Sequence, residues 1–170
     1  MKTFQQFIDD IPELDESSMT RLKSQSDKGG TAVMSASRGN LSKKENRARA
    51  KKLDRDIRGK FGKGATKVTG KYDEKDEKTG ETKRVKERSH VIQSGKMGKR
   101  KFKKAVKSLG KKYGQDSVIT QQKGDKSATL KRTRKGGLPK RNIKLGKMRP
   151  GRSGENETQK KGKTFTYDTK

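Results

Sequence analysis

Residues 134–170 read RKGGLPKRNIKLGKMRPGRSGENETQKKGKTFTYDTK, and the reading given to them decides where the fold ends. The stretch combines repeated glycines, prolines at Pro139 and Pro150, and closely spaced cations. A segment of that composition buries too little apolar surface to offset the entropy of ordering it, which predicts a disordered basic tail. Phe165 and Tyr167 near its end could stack on bases or dock on a partner, although two exposed aromatics in a tail are more often idle. The folded unit then closes at residue 133.

Working inward, Ser117–Gln121 and Ala128–Arg132 predict two short strands joined by a turn at Gly124-Asp125. Before them, GKRKFKKAVKSLGKKYG (residues 98–114) places Phe102, Ala105, Val106, Leu109 and Tyr113 on one helical stripe, with Gly114 at the C-terminal end. Ala65–Tyr72 and Arg84–Gln93 predict a hairpin whose charged loop, DEKDEKTGE, turns at Thr79-Gly80. Ser42 and Glu45 have capping-box spacing, and Ala50, Leu53 and Ile57 follow at helical intervals, predicting a helix over Lys43–Arg58 that stops at Gly59. The order helix, hairpin, helix, hairpin makes residues 41–133 a small two-layer α+β domain. Its expected core is Leu53, Ile57, Phe61, Val68, Tyr72, Val85, Val91, Phe102, Val106, Leu109, Tyr113, Val118, Ile119 and Leu130. Residues 17–40, rich in Ser, Gly, Thr and Lys, read as a flexible basic linker.

The 170 residues carry 48 Lys and Arg against 20 Asp and Glu, a net charge of +28, and are 24% hydrophobic. Self-repulsion of that size is relieved by a polyanion, with nucleic acid the leading candidate. No apolar segment is long enough for membrane insertion. The chain has no cysteine, which removes disulfides and thiolate metal sites. Gln5, Gln6, Asp9 and Asp10 interrupt what a secretory signal would keep apolar.

Few residues suggest chemistry. His90 is the single histidine and reads as a polar strand position, with no nucleophile or orienting carboxylate legible beside it. GKFGKGATK (residues 59–67) departs from a phosphate-binding loop because Ala65 stands where lysine is needed and the glycines follow a helix. The expectation is a protein without catalytic activity, cofactor or metal. The basic clusters instead predict phosphate contacts at Lys43, Lys44, Arg47, Arg49, Lys51 and Lys52, at Lys99, Arg100, Lys101, Lys103 and Lys104, and at Arg132, Arg134, Lys135, Lys140 and Arg141. With few aromatics outside the core, binding would follow DNA backbone charge and not base sequence.

The first sixteen residues differ from the rest: Lys2 stands against Asp9, Asp10, Glu13, Asp15 and Glu16. Phe4, Phe7, Ile8 and Ile11 share one face of a short helix that Pro12 ends, leaving residues 11–16 extended. MKTFQQFIDDIPE resembles the capsid-targeting peptide of the internal head proteins of T-even-like bacteriophages. The resemblance implies a cleavable capsid-targeting peptide over residues 1–16, with the helix face Phe4, Phe7, Ile8 and Ile11 as its targeting surface, scaffold contacts in the prohead, and cleavage by the prohead protease at Glu13-Leu14 or Glu16-Ser17. The segment from NRARAKKLDRDIR to KKYGQDSVI faintly resembles a small uncharacterised domain of bacteria and phages. The leader's resemblance, with the basic clusters, implies an internal head protein packaged inside the capsid with the genome, binding DNA irrespective of sequence and able to enter the host cytoplasm with it; the middle segment's resemblance implies no activity. The alternative is an effector that binds and inhibits a host protein after injection; a nuclease or nucleotide-modifying enzyme ranks last.

Overall fold

A computed structural model describes residues 13–75, 78–136, 139–151, 157–160 and 163–168. The helices are α1 (Glu13–Lys28), α2 (Lys43–Phe61) and α3 (Lys99–Lys112). The strands are β1 (Thr31–Ser35), β2 (Thr66–Lys75), β3 (Thr82–Gln93), β4 (Ser117–Gln121), β5 (Ala128–Arg132), β6 (Ile143–Pro150), β7 (Glu157–Lys160) and β8 (Lys163–Asp168). The strands close into one barrel in the order β1-β3-β2-β7-β8-β6-β5-β4, antiparallel at every joint.

This architecture corrects the expected two-layer α+β domain. The basic linker is not flexible: it holds most of α1 and all of β1, and β1 closes the barrel between β3 and β4. The tail is not disordered either, since β6, β7 and β8 supply three barrel strands. Each error has a physical cause. A barrel strand shows one face to the interior and the other to solvent, so only alternate residues must be apolar. In β6 and β8, Met148 and Phe165 are buried while exposed lysines such as Lys147 and Lys144 raise the local charge. Composition averages the two faces and reports a polar segment. β1 fails differently: both its faces are buried, so TAVMS has no alternation to read.

The predicted local elements inside residues 41–133 recur with small shifts. Ser42 and Glu45 form the capping box, with Glu45 N donating to Ser42 Oγ at 3.2 Å and Ser42 N donating to the Glu45 carboxylate at 2.8 Å. The Ser42 hydroxyl holds the Glu45 carboxyl below its usual range. α2 runs through Gly59 and ends at Gly62, whose φ of 73° closes the helix and lets its N–H reach Arg58 O. Gly59 is therefore not the stop: a single glycine costs a helix about 1 kcal/mol, and the added turn packs Phe61 against the apolar cluster.

Two apolar clusters flank the barrel wall. The outer one joins Leu53 and Ile57 of α2 to Phe102, Val106 and Leu109 of α3 over Ala32, Met34 and Ile92, with Phe61 edge-on to Phe102 at 5.6 Å between ring centroids. The inner one fills one end of the barrel with Val33, Val68, Val91, Met148 and Phe165 and takes Leu22 from α1 as a plug. Ser26 of α1 donates to Gln121 at 2.8 Å, tying that plug to the end of β4. Among the described residues no helix is long and apolar enough to cross a membrane.

Candidate active site

Register determines what faces the lumen. Ser35 lies opposite Ser89, Ser89 opposite Val68, Gly70 opposite Glu87, and Gly70 also opposite Thr158. Val33 is paired with both Val91 and Ile119, and Ile119 with Leu130. These residues alternate along their strands, so one set of side chains points inward around the barrel. Toward α1 the set is apolar and closed by Leu22. Away from α1 it opens into a cavity of about 360 Å³ with side chains from all eight strands in its wall. That volume falls in the range used for small-molecule sites.

Lys71, Gln115 and Thr158 stand among the polar groups of the wall. Glu87 on β3 places a half-buried carboxylate there, and Ser35, Ser89 and Ser117 contribute hydroxyls. Ser35 Oγ is held in place, donating to Arg88 O at 2.9 Å and accepting from Ser37 N at 3.0 Å. Tyr72 on β2 and Tyr167 on β8 bring two ring faces to the same cavity. Tyr167 packs edge-on against Phe165 at 6.0 Å, and desolvation pushes its phenol above the ordinary tyrosine range. Gly70 keeps the space beside Glu87 open, because a Cβ there would stand 3.0 Å from Ser89 Oγ and 3.7 Å from Glu87 Cγ.

The residues selected from sequence lie elsewhere. His90 is fully buried on the outer side of β3, and neither ring nitrogen has a hydrogen-bond partner. Burial pushes its pKa down, opposed by Asp54 and aided by Lys67 and Arg88. Phe4, Phe7, Ile8 and Ile11 lie outside the described residues. Glu13, Leu14, Glu16 and Ser17 belong to α1, helical where Pro12 was expected to leave extended chain. Lys43, Lys44, Arg47, Lys51 and Lys52 are exposed on α2, and Lys99, Arg100, Lys101, Lys103 and Lys104 on α3. Arg49 has a structural setting: it donates to Ala36 O at 2.7 Å and Tyr113 O at 2.5 Å and lies 5.7 Å from the Tyr113 ring centroid. Arg134 pairs with Asp116, Arg132 donates to Lys140 O, and Lys135, Lys140 and Arg141 are exposed between β5 and β6.

Sequence reading passed over Glu87 and Ser117, and assigned Tyr72 to the core and Tyr167 to the tail. One signal was present. In TKRVKERSHVIQ the positions Val85, Glu87, Ser89 and Val91 form an inward set with a single acid, and an acid on the apolar side of a strand marks a position where burial must be compensated.

A family model described as the S-Adenosylmethionine lyase family matches residues 32–170. Among solved structures, the chain is similar to a phage SAM lyase in complex with S-methyl-5'-thioadenosine, with 16% identity, 71% of this chain and 91% of that chain covered, and a TM-score of 0.37. No curated protein matches. The family match overturns the reading as a non-enzymatic internal head protein. With it go the partners attached to that reading, namely DNA, the prohead scaffold and its protease, and the alternative of a host-directed inhibitor. The leader that suggested the phage family lies wholly outside the matched residues. Net charge describes the solvent-facing half of each strand, and the site lies on the other half.

Proposed function

The chain belongs to the S-adenosylmethionine lyase family, and we infer from that premise that it cleaves a carbon–sulfur bond of S-adenosylmethionine inside the barrel lumen. The observation that carries this reading is the composition of the lumen wall around 360 Å³: the Glu87 carboxylate, the Tyr72 and Tyr167 rings and the hydroxyls of Ser35, Ser89, Ser117 and Thr158, with Lys71 and Gln115 in the same wall. The substrate is cationic at its sulfonium and ammonium, so a chain of net charge +28 must hold it where an acid outweighs the general repulsion. Glu87 accepts the α-ammonium. The faces of Tyr72 and Tyr167 suit the sulfonium and the adenine, by cation–π attraction and stacking.

A lyase breaks its bond without water. In this substrate the methionine carboxylate can fold onto the carbon that bears sulfur. The carbon–sulfur electron pair leaves with sulfur, the carboxylate oxygen bonds to that carbon, and a neutral thioether nucleoside and a lactone result with no proton transferred. A negative oxygen and a positive sulfur lose their charge together, so replacing water with a closed wall lowers the barrier. The site's task is to hold the folded conformer, where orientation is worth about 7–11 kcal/mol in favourable cases.

Full-length protein incubated with S-adenosylmethionine in heavy-oxygen water tests this. The expected products are the thioether nucleoside and a lactone with no solvent oxygen. Solvent oxygen at the γ-hydroxyl of homoserine would mark hydrolysis, and an undiminished substrate would remove the reading altogether.

A further inference from the structure

Outside the barrel wall, α3 and the outer faces of β4 and β5 enclose a second cavity of about 220 Å³. Lys103 and Lys107, one helical turn apart on α3, line it with Lys131 and Arg132 of β5, Thr120 of β4, and Asn142. Chain distance hides this cluster, since the α3 and β5 cations belong to separate basic runs. One rim is fixed: Arg132 N donates to Asn142 Oδ1 at 3.0 Å and the Arg132 guanidinium donates to Lys140 O at 2.7 Å.

Two independent features leave the cavity unsatisfied. Thr120 is 3% exposed, yet its buried Oγ1 has no hydrogen-bond partner, a situation native proteins seldom leave uncompensated. The cations also converge on one another. Burial, followed by the neighbouring Lys103 ammonium and helped by Lys107, pushes the Lys131 ammonium down to about 8, while Asp125 in the β4–β5 turn acts in the opposite direction. The Asp125 carboxylate is itself engaged, accepting from Gln122 N at 3.1 Å.

We propose that this cleft binds a compact oxyanion of the phosphate class, held by Lys103, Lys107 and Lys131 with the Thr120 hydroxyl donating at its base. Charge-assisted hydrogen bonds from several ammonium groups are the strong kind, and the anion supplies both missing partners at once. The size favours inorganic phosphate, pyrophosphate or the phosphate end of a small molecule, since 220 Å³ lies below the usual range for a whole drug-sized ligand. A nucleic-acid backbone would instead contact convex cationic faces such as the exposed lysines of α2, and would not need a buried hydroxyl.

Calorimetric titration of full-length protein with inorganic phosphate, pyrophosphate and a nucleoside triphosphate tests the site and distinguishes the sources, the tightest arm naming the ligand. One saturable site per chain is expected. Lys131→Met and Lys107→Gln should each weaken it about tenfold or more, and Thr120→Val several-fold. The distant Lys43→Gln should leave it unchanged, and all four should keep the rate of S-adenosylmethionine cleavage. Because Lys107 is exposed, that variant keeps the test decisive if Lys131→Met does not fold. Affinity should fall as pH rises past about 8, where Lys131 loses its proton beside Lys103, Lys107, Arg132 and Asp125. Absence of saturable binding, or an equal loss in Lys43→Gln, overturns the proposal. So does a short DNA duplex that competes through the same residues with higher affinity than any small anion.

Discussion

Replacing Glu87 with glutamine removes one negative charge from the lumen wall while keeping the length and shape of the side chain. Two unit charges about 4 Å apart interact by roughly 4 kcal/mol at an effective dielectric near 20. Glu87 is half-buried, so solvent screening cuts this, and glutamine retains a hydrogen-bond acceptor. The loss expected is about 1.5–2.5 kcal/mol, or roughly 10–70-fold in kcat/KM. Pairing with the ammonium is equal in ground and transition states, so KM should rise while kcat holds. The sulfonium, by contrast, loses its charge during reaction, and an acid paired with it would retard the step. Initial rates measured by chromatography of the nucleoside product separate these cases, with a urea titration confirming stability within about 0.5 kcal/mol of the parent. A kcat/KM within twofold of the parent, or a fall confined to kcat, would refute the assignment of Glu87 as the ammonium's partner.

Three further outcomes check the fold beneath the site. Truncation after Thr133 should abolish the cooperative melt followed by circular dichroism, because it strips β6, β7 and β8 and leaves β5 and β2 with open edges; a truncated chain that melts like the parent would contradict barrel closure. Gly110→Ala should cost about 1–3 kcal/mol in urea unfolding, despite alanine's higher helix propensity, since its Cβ would meet Thr133 Cγ2 at 2.6 Å and Val118 Cγ1 at 3.0 Å; a stabilised variant would contradict that packing. His90 has a folded pKa held below its ordinary 6.5, so on acidification the unfolded chain takes up the proton first. Its contribution is complete above about pH 6.5 and declines as pH falls below that, with a slope of at most about 1.4 kcal/mol per pH unit, and His90→Phe should flatten that limb in pH-dependent unfolding.

Much of the local structure was legible because its signals are local. The capping box at Ser42 and Glu45, the stripe from Phe102 to Tyr113, and the strands Ser117–Gln121 and Ala128–Arg132 each rest on contacts a few residues apart. The expected core positions Leu53, Ile57, Val68, Val91, Phe102, Val106 and Leu109 are buried, because each sits at the apolar interval of a helix or strand that local pattern already marked. What was missed lies at the two ends of the chain, where Leu22, Val33, Met148 and Phe165 are buried only because distant strands cover them. A charge of +28 suggested a polyanion as partner, but charge records the outward residues and is silent on the inward ones.

By itself, the sequence established which segments turn, cap and coil, since those preferences act between near neighbours. Only the tertiary structure made the site, because Glu87, Tyr72 and Tyr167 come from three strands and share a cavity solely through closure of the barrel. Closure is a cooperative property of eight pairings made over long chain separations. Their free energy comes from burying one side of each strand against the others, and no single segment carries that information alone.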